Sequence, residues 1–167
     1  MPTLSVAAAP VAANHLPRVR LATEADIEQI LDMGHALHKE NGLMRLDDQL
    51  IQEITESVIL NDEGVFGVIG DVGHLEGMIL LQLRKYWYSQ DCHIEELLNY
   101  VKPRYRKSRN AIALIEFAKS QAQRLGVPLL IGILSNKSTE QKMKLYQRRL
   151  GPPSGGYWIF NGNTGSN

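Results

Sequence analysis

Apolar positions recur at helical spacing in two stretches of the first third of the chain. In TEADIEQILDMGHALHKENG, residues 23–42, Ile27, Ile30, Leu31, Gly34 and Leu37 share one face. Thr23 suits the N-cap, Asp26 stands three residues later where an acidic side chain fits, and Gly42 stops the run. In DDQLIQEITESVILND, residues 47–62, Leu50, Ile51, Ile54 and Val58 repeat the pattern behind two aspartates. The period then shortens. Strands are predicted at 65–69 and 77–84, antiparallel across a Gly-flanked hairpin, and CHIEELLNYV, 92–101, reads as a third strand closed by Pro103. Ala111, Leu114, Ile115, Ala118, Ala122 and Leu125 form a helical stripe ended by Gly126. VPLLIGILS, 127–135, is apolar throughout and reads as a buried strand. STEQKMKLYQRRLG, 138–151, is a last helix capped by Ser138 or Thr139, and GGYWIFN, 155–161, a last strand.

Two helices, three strands, then helix, strand, helix, strand imply an α/β fold. A meander supplies antiparallel strands, and the strand–helix–strand unit supplies a parallel pair, so the sheet is mixed. A chain of 167 residues is expected to hold one domain, placed at 18–161 between a flexible leader, 1–17, and a flexible tail, 162–167. The leader lacks the basic start and continuous apolar core of a secretory signal, and no apolar run reaches the ~20 residues of a membrane span, so a cytoplasmic location is expected. Cys92 is the only cysteine, which excludes an internal disulfide and a cysteine-based metal site. His35 and His38 form a pair without a third ligand, and no metal is expected.

Formal net charge is zero, so any anion site must be local. One place stands out. Arg104, Arg106, Lys107 and Arg109 crowd together just where the third helix begins. A helix N-terminus already favours anions through its unpaired N–H groups and macrodipole. Added cations point to a phosphate-rich ligand. Nucleic acid is disfavoured, because Tyr105 is the only aromatic in the cluster and no DNA-binding pattern surrounds it. A solvated helix start is the bland alternative.

These residues carry a resemblance. VKPRYRKSRNAIALIEFAKSQAQRLGV resembles the acetyl-CoA motif of the GNAT superfamily of acyltransferases, a strand ending V-x-P-x-[YF]-R followed by an [RQ]-x-x-G-x-[GA] loop that opens a helix. Val101, Pro103, Tyr105 and Arg106 match the first part, and Arg106 and Ala111 match the ends of the loop. Downstream, Asn136, Leu145, Tyr146, Arg148 and Gly151 fit the family's closing segment. The resemblance spans residues 19–161. It departs where Arg109 replaces the usual first loop glycine, as in basic, glycine-poor variants of phage and bacterial origin.

The resemblance implies a central mixed sheet with helices on both faces and transfer of an acyl group, most simply acetyl, from acyl-CoA to an amine by direct attack. It implies that backbone groups of Asn99, Tyr100 and Val101 meet the pantetheine amides. The amides of Lys107, Ser108, Arg109, Asn110 and Ala111 would cradle the pyrophosphate, with Arg106 as a further donor, and Asn136 would order the cofactor or a water. Tyr146 would protonate the departing thiolate, a task a phenol can perform. A carboxylate base is sought in Glu95 and Glu96. Neighbours on a strand face opposite sides, so only one can enter the cleft, and Glu96 is the choice. The acceptor is expected to be a small-molecule or peptide amine, and a homodimer stays open. The alternatives are a CoA-binding or regulatory protein without catalysis and a nucleic-acid module using the basic helix start. Of Tyr86, Trp87 and Tyr88, some are expected to be exposed, because consecutive strand residues cannot share a face.

Overall fold

The computed structural model describes residues 15–61, 64–133, 138–156 and 158. Its elements are β1 (Arg20–Leu21), α1 (Ile27–Asn41), α2 (Asp48–Leu60), β2 (Val65–Ile69), β3 (Gly77–Lys85), β4 (Cys92–Val101), α3 (Asn110–Leu125), β5 (Leu129–Leu130) and α4 (Thr139–Leu150). The strands lie in sequence order across one sheet. The first four are antiparallel neighbours, and α3 carries the chain over to β5, which runs parallel to β4. This is the mixed α/β sheet that the order of elements implies.

The sheet divides two cores. Ile30 and Met33 of α1 and Val58 of α2 pack with Phe66, Val68, Met78, Leu80 and Tyr100. On the other face Ala113, Leu114, Ala118 and Ala122 of α3 pack with Ile79, Leu81, Ile94 and Val101. The small residues of α3 let it lie close to the strands. At Gly67 the approach is closest, since a Cβ there would stand 2.6 Å from the Phe117 ring. Gly126 ends α3 at φ 66°, the left-handed conformation glycine adopts most readily.

Two readings change. β1 was not foreseen, because two residues carry no readable period; it adds a short edge beside β2 through Arg20↔Val68 and Leu21↔Gly67. Among the described residues of the apolar run 127–135, only Leu129 and Leu130 join the sheet. Pro128 has no N–H for the ladder, although its carbonyl accepts from Ile94 N at 2.8 Å. The last strand, at 155–161, falls mostly outside the described residues, as do most of the leader and all of the tail.

The start of α1 is held by more than a cap. Asp26 accepts from Thr23 N at 2.9 Å and Thr23 Oγ1 at 3.0 Å, and from both terminal nitrogens of Arg20 at 2.7 and 2.8 Å. The Arg20 guanidinium, hydrogen-bonded to it, holds the Asp26 carboxyl down at about 2. Asp26 is fully buried while Arg20 is partly exposed. Asp26→Asn is therefore expected to cost about 2–3 kcal/mol, the scale for breaking a buried pair discounted for Arg20's exposure. Because the folded pKa is depressed, this contribution is present above the unfolded value near 3.8 and is lost as pH falls toward 2. Urea melts of both proteins at pH 7 and pH 3 check it: the gap between them should narrow in acid.

Candidate active site

β4 organises the site. It pairs with β3 along its length, from Lys85↔Cys92 to Gly77↔Val101, but with β5 only at Ile94↔Leu129 and Glu95↔Leu130. Past Glu95 the two strands part, and among the described residues no strand lies along the far edge of β4. The ladder also steps directly from Leu80↔Leu98 to Leu81↔Glu96, leaving Leu97 as an extra, bulged residue.

The bulge rephases the strand. Strict alternation would send Glu96 and Asn99 to opposite faces. Instead they sit opposite Leu81 and Ile79, both members of the core beneath α3. Leu98 and Tyr100 belong to the core beneath α1 and α2. Glu96 and Asn99 therefore share the α3 side, at the point where β4 and β5 separate.

Tyr146 meets them from α4. Asn99 Nδ2 donates to the Tyr146 hydroxyl oxygen at 3.3 Å. That oxygen is thus used as an acceptor, and its proton is left to point elsewhere. Burial, and then the nearby Glu96, push the phenol well above its ordinary value, so it keeps its proton. No residue of α4 is fully buried, and Tyr146 is half-buried with its hydroxyl on Asn99. Burial also raises the Glu96 carboxyl to about 8, against a hydrogen bond from the Gly132 backbone and the pull of Lys142. Glu96 Oε2 is buried without a hydrogen-bond partner. Lys142, one turn before Tyr146 on α4, was not anticipated; burial lowers its ammonium, followed by repulsion from Arg106.

The cofactor residues divide. Lys102 N–H donates to the Glu76 carbonyl, on the β3 side. By alternation the backbone of Tyr100 also serves β3, whereas Asn99 and Val101 turn their backbone groups to the open edge. Tyr100 is thus corrected: its main chain is spent within the sheet, and its hydroxyl donates to Glu40 Oε1 at 3.2 Å. The Val101 carbonyl accepts from Arg106 Nε at 2.9 Å. Arg106 further grips both oxygens of Glu40 at 2.8 and 2.7 Å, so its guanidinium ties the loop to α1 rather than standing ready for a phosphate. Asn110 is buried, with its amide donating to Glu76 Oε2 at 2.8 Å. Ser108 Oγ accepts from Asn110 N at 3.1 Å and donates to the Tyr105 carbonyl at 2.6 Å, bracing the loop from within.

Lys107 is exposed at the loop's tip and Ala111 lies in the first turn of α3. Arg109 precedes α3 with φ −90° and ψ 8°, a conformation open to any residue, so the missing glycine costs this loop no backbone strain. Asn136 lies outside the described residues.

Elsewhere, Trp87 and Tyr88 are largely exposed at the tip between β3 and β4 and Tyr86 less so, with Tyr86 stacked on Tyr88 and tilted against His93. His35 and His38 engage Asp48 and the Met44 carbonyl, with nothing gathered between them. No helix among the described residues is long and apolar enough to cross a membrane.

No family model matches the chain, and no curated protein matches it in sequence. Solved structures do match it in shape. A predicted acetyltransferase from Clostridium acetobutylicum, solved with acetyl-CoA, superposes with a TM-score of 0.68 at 12% identity over 87% of this chain and 96% of that one. A possible acetyltransferase from Clostridium difficile 630 gives 0.67 at 14% identity, covering 88% and 98%. AAC(6')-Iy, in complex with the bisubstrate analogue CoA-S-monomethyl-acetylneamine, gives 0.66 at 16% identity, covering 86% and 95%. With its mixed sheet, parted β4 and β5, and bulged β4, the chain has the fold of the GNAT acetyltransferases.

Proposed function

We propose that this protein is an acyl-CoA-dependent N-acyltransferase, with acetyl-CoA as donor and an amine-bearing small molecule or peptide as acceptor. The carrying observation is the meeting of Glu96, Asn99 and Tyr146 where β4 leaves β5. An extended donor suits the open edge, because pantetheine amides can meet the backbone groups of Asn99 and Val101. The pyrophosphate would lie at the loop, met by the amides of Lys107 and Ala111 and the charges of Lys107 and Arg109, while the Ser108 and Asn110 amides brace the loop from within. Arg106 in this scheme fixes the loop's position.

The chemistry is direct attack. The amine nitrogen bonds to the thioester carbon, forming a tetrahedral intermediate whose oxyanion is met by an amide at the bulge, where an N–H is released from the ladder. Glu96, raised to about 8, takes the proton of the attacking ammonium group. The C–S bond breaks, and Tyr146 gives the departing thiolate a hydrogen bond and then a proton. The proton held on Glu96 then reprotonates the Tyr146 phenolate, and the second nitrogen proton, lost as the intermediate collapses to the amide, leaves to solvent, so the site returns to its starting charge.

The test has two stages. Acetyl-CoA should raise the melting temperature, and a panel of amines should then release free thiol. Stabilisation with thiol release supports the proposal. Stabilisation with no release for any amine makes the protein a CoA binder, and no stabilisation removes the donor from the argument.

A further inference from the structure

On the opposite side of the sheet from Glu96 and Tyr146, between the end of α1 and the end of β4, lies an open hollow of about 490 Å³. Its size falls within the range of small-molecule sites. It is lined by Ala36, Lys39, Glu40, Tyr100, Lys102, Pro103 and Arg104. The floor is carbon: the buried Tyr100, the Pro103 ring and the Ala36 methyl. Three cations stand around it, and among the described residues none of them has a carboxylate within ion-pair distance. The one carboxylate in the lining, Glu40, is occupied by Arg106 and by the Tyr100 hydroxyl. Arg104 is held over the Tyr105 ring at 4.7 Å, which limits its freedom to turn away. Burial, and then the neighbouring Arg104, press the Lys102 ammonium below its ordinary value, with Asp32 offsetting part of this. A concave apolar floor ringed by crowded, unpaired cations is a poor arrangement for water alone and a good one for an anion with a hydrocarbon face.

We propose that this hollow is a second small-molecule site, separate from the donor cleft, for a ligand joining a carboxylate or phosphate monoester to a flat apolar body. The anion rests between Lys102 and Arg104 with Lys39 at the rim, and the body lies on Tyr100 and Pro103. Lys102, Pro103 and Arg104 open the loop that leads to α3, and Glu40 both lines the hollow and holds Arg106, so the ligand would rest on the outer side of that loop.

The experiment reads binding without turnover, so its failure and a failure of acyl transfer are separate results. The ¹⁵N-labelled full chain is titrated with adenosine 5′-monophosphate, benzoate and inorganic phosphate. Saturable shifts are expected at the amides of Lys39, Glu40, Tyr100 and Lys102. Adenosine 5′-monophosphate should bind at least about threefold more tightly than inorganic phosphate, because of the apolar floor. The Lys102→Ala, Arg104→Ala double variant, checked by its unchanged spectrum elsewhere, should weaken binding by about tenfold or more. Saturating acetyl-CoA should leave the probe in place. The proposal is overturned by an absence of saturable shifts at these amides, by equal affinity for phosphate and the nucleotide, by full affinity in the double variant, or by displacement of the probe by acetyl-CoA.

Discussion

Tyr146→Phe should lower kcat for acyl transfer by about 10²–10⁴, the scale for losing a positioned acid, while acetyl-CoA affinity and melting temperature barely move. The substitution removes one oxygen and keeps the ring. Only the 3.3 Å bond from Asn99 is lost, so the stability change should stay within about 1 kcal/mol. Affinity should hold because in the proposed scheme the hydroxyl serves the thioester sulfur and not the phosphates. The three quantities are to be measured on one preparation. A packing role would show the reverse, a lower melting temperature with turnover per folded molecule preserved. A kcat within about threefold of the parent would remove Tyr146 from the chemistry.

Glu96→Gln should change both rate and stability, and in opposite directions. A base raised to about 8 works only in its ionised form, so kcat/KM for the parent should climb with pH through that region. In the Gln variant the rate should fall by about 10²–10³ at neutral pH, with the loss shrinking as the bulk pH nears the acceptor amine's own pKa. Stability follows from linkage. Between the ordinary value of 4.5 and about 8, the folded chain keeps a proton that the unfolded chain releases. Parent stability therefore falls as pH rises through that window and levels off above it. The variant lacks this slope and should be more stable than the parent by about 1–3 kcal/mol at pH 8, with a smaller difference at pH 5. Parallel pH–rate profiles for the two proteins would exclude Glu96 as the base. A stability difference independent of pH would exclude its buried, raised carboxyl.

The elements with a long period were readable because their packing is simple. The stripe of α3 is buried at Leu114, Ile115, Ala118 and Ala122, with Ala111 half-buried and Leu125 exposed at the helix end, and Thr23 with Asp26 brackets the 3-10 turn that leads into α1. β1 was not readable: two residues show no alternation, and its own Arg20 owes its place to Asp26. Glu96 was legible as a carboxylate in the right strand, but not as a neighbour of Asn99, because counting by twos cannot reveal a bulge. The extra residue, Leu97, looks like any apolar strand residue. Arg106 illustrates the opposite failure. In sequence it is one more cation beside a helix start; in space Glu40, 66 residues away, has claimed it. Asn110 is likewise claimed by Glu76. Long-range polar pairing of this kind leaves no periodic trace, so a motif can mark a loop's position while misassigning what its side chains hold.

The open edge of β4 has a cost outside the reaction. Backbone groups kept free for an extended ligand are equally free for any other extended chain, and a strand added from a neighbouring molecule would satisfy them in the same way. Part of the defence is built in, because α4 crosses near the gap and brings Tyr146 to Asn99. The rest falls to the occupant. In the proposed scheme a bound donor would cap these backbone groups, so the empty protein would be the species more open to strand-to-strand association, and acetyl-CoA should suppress that association.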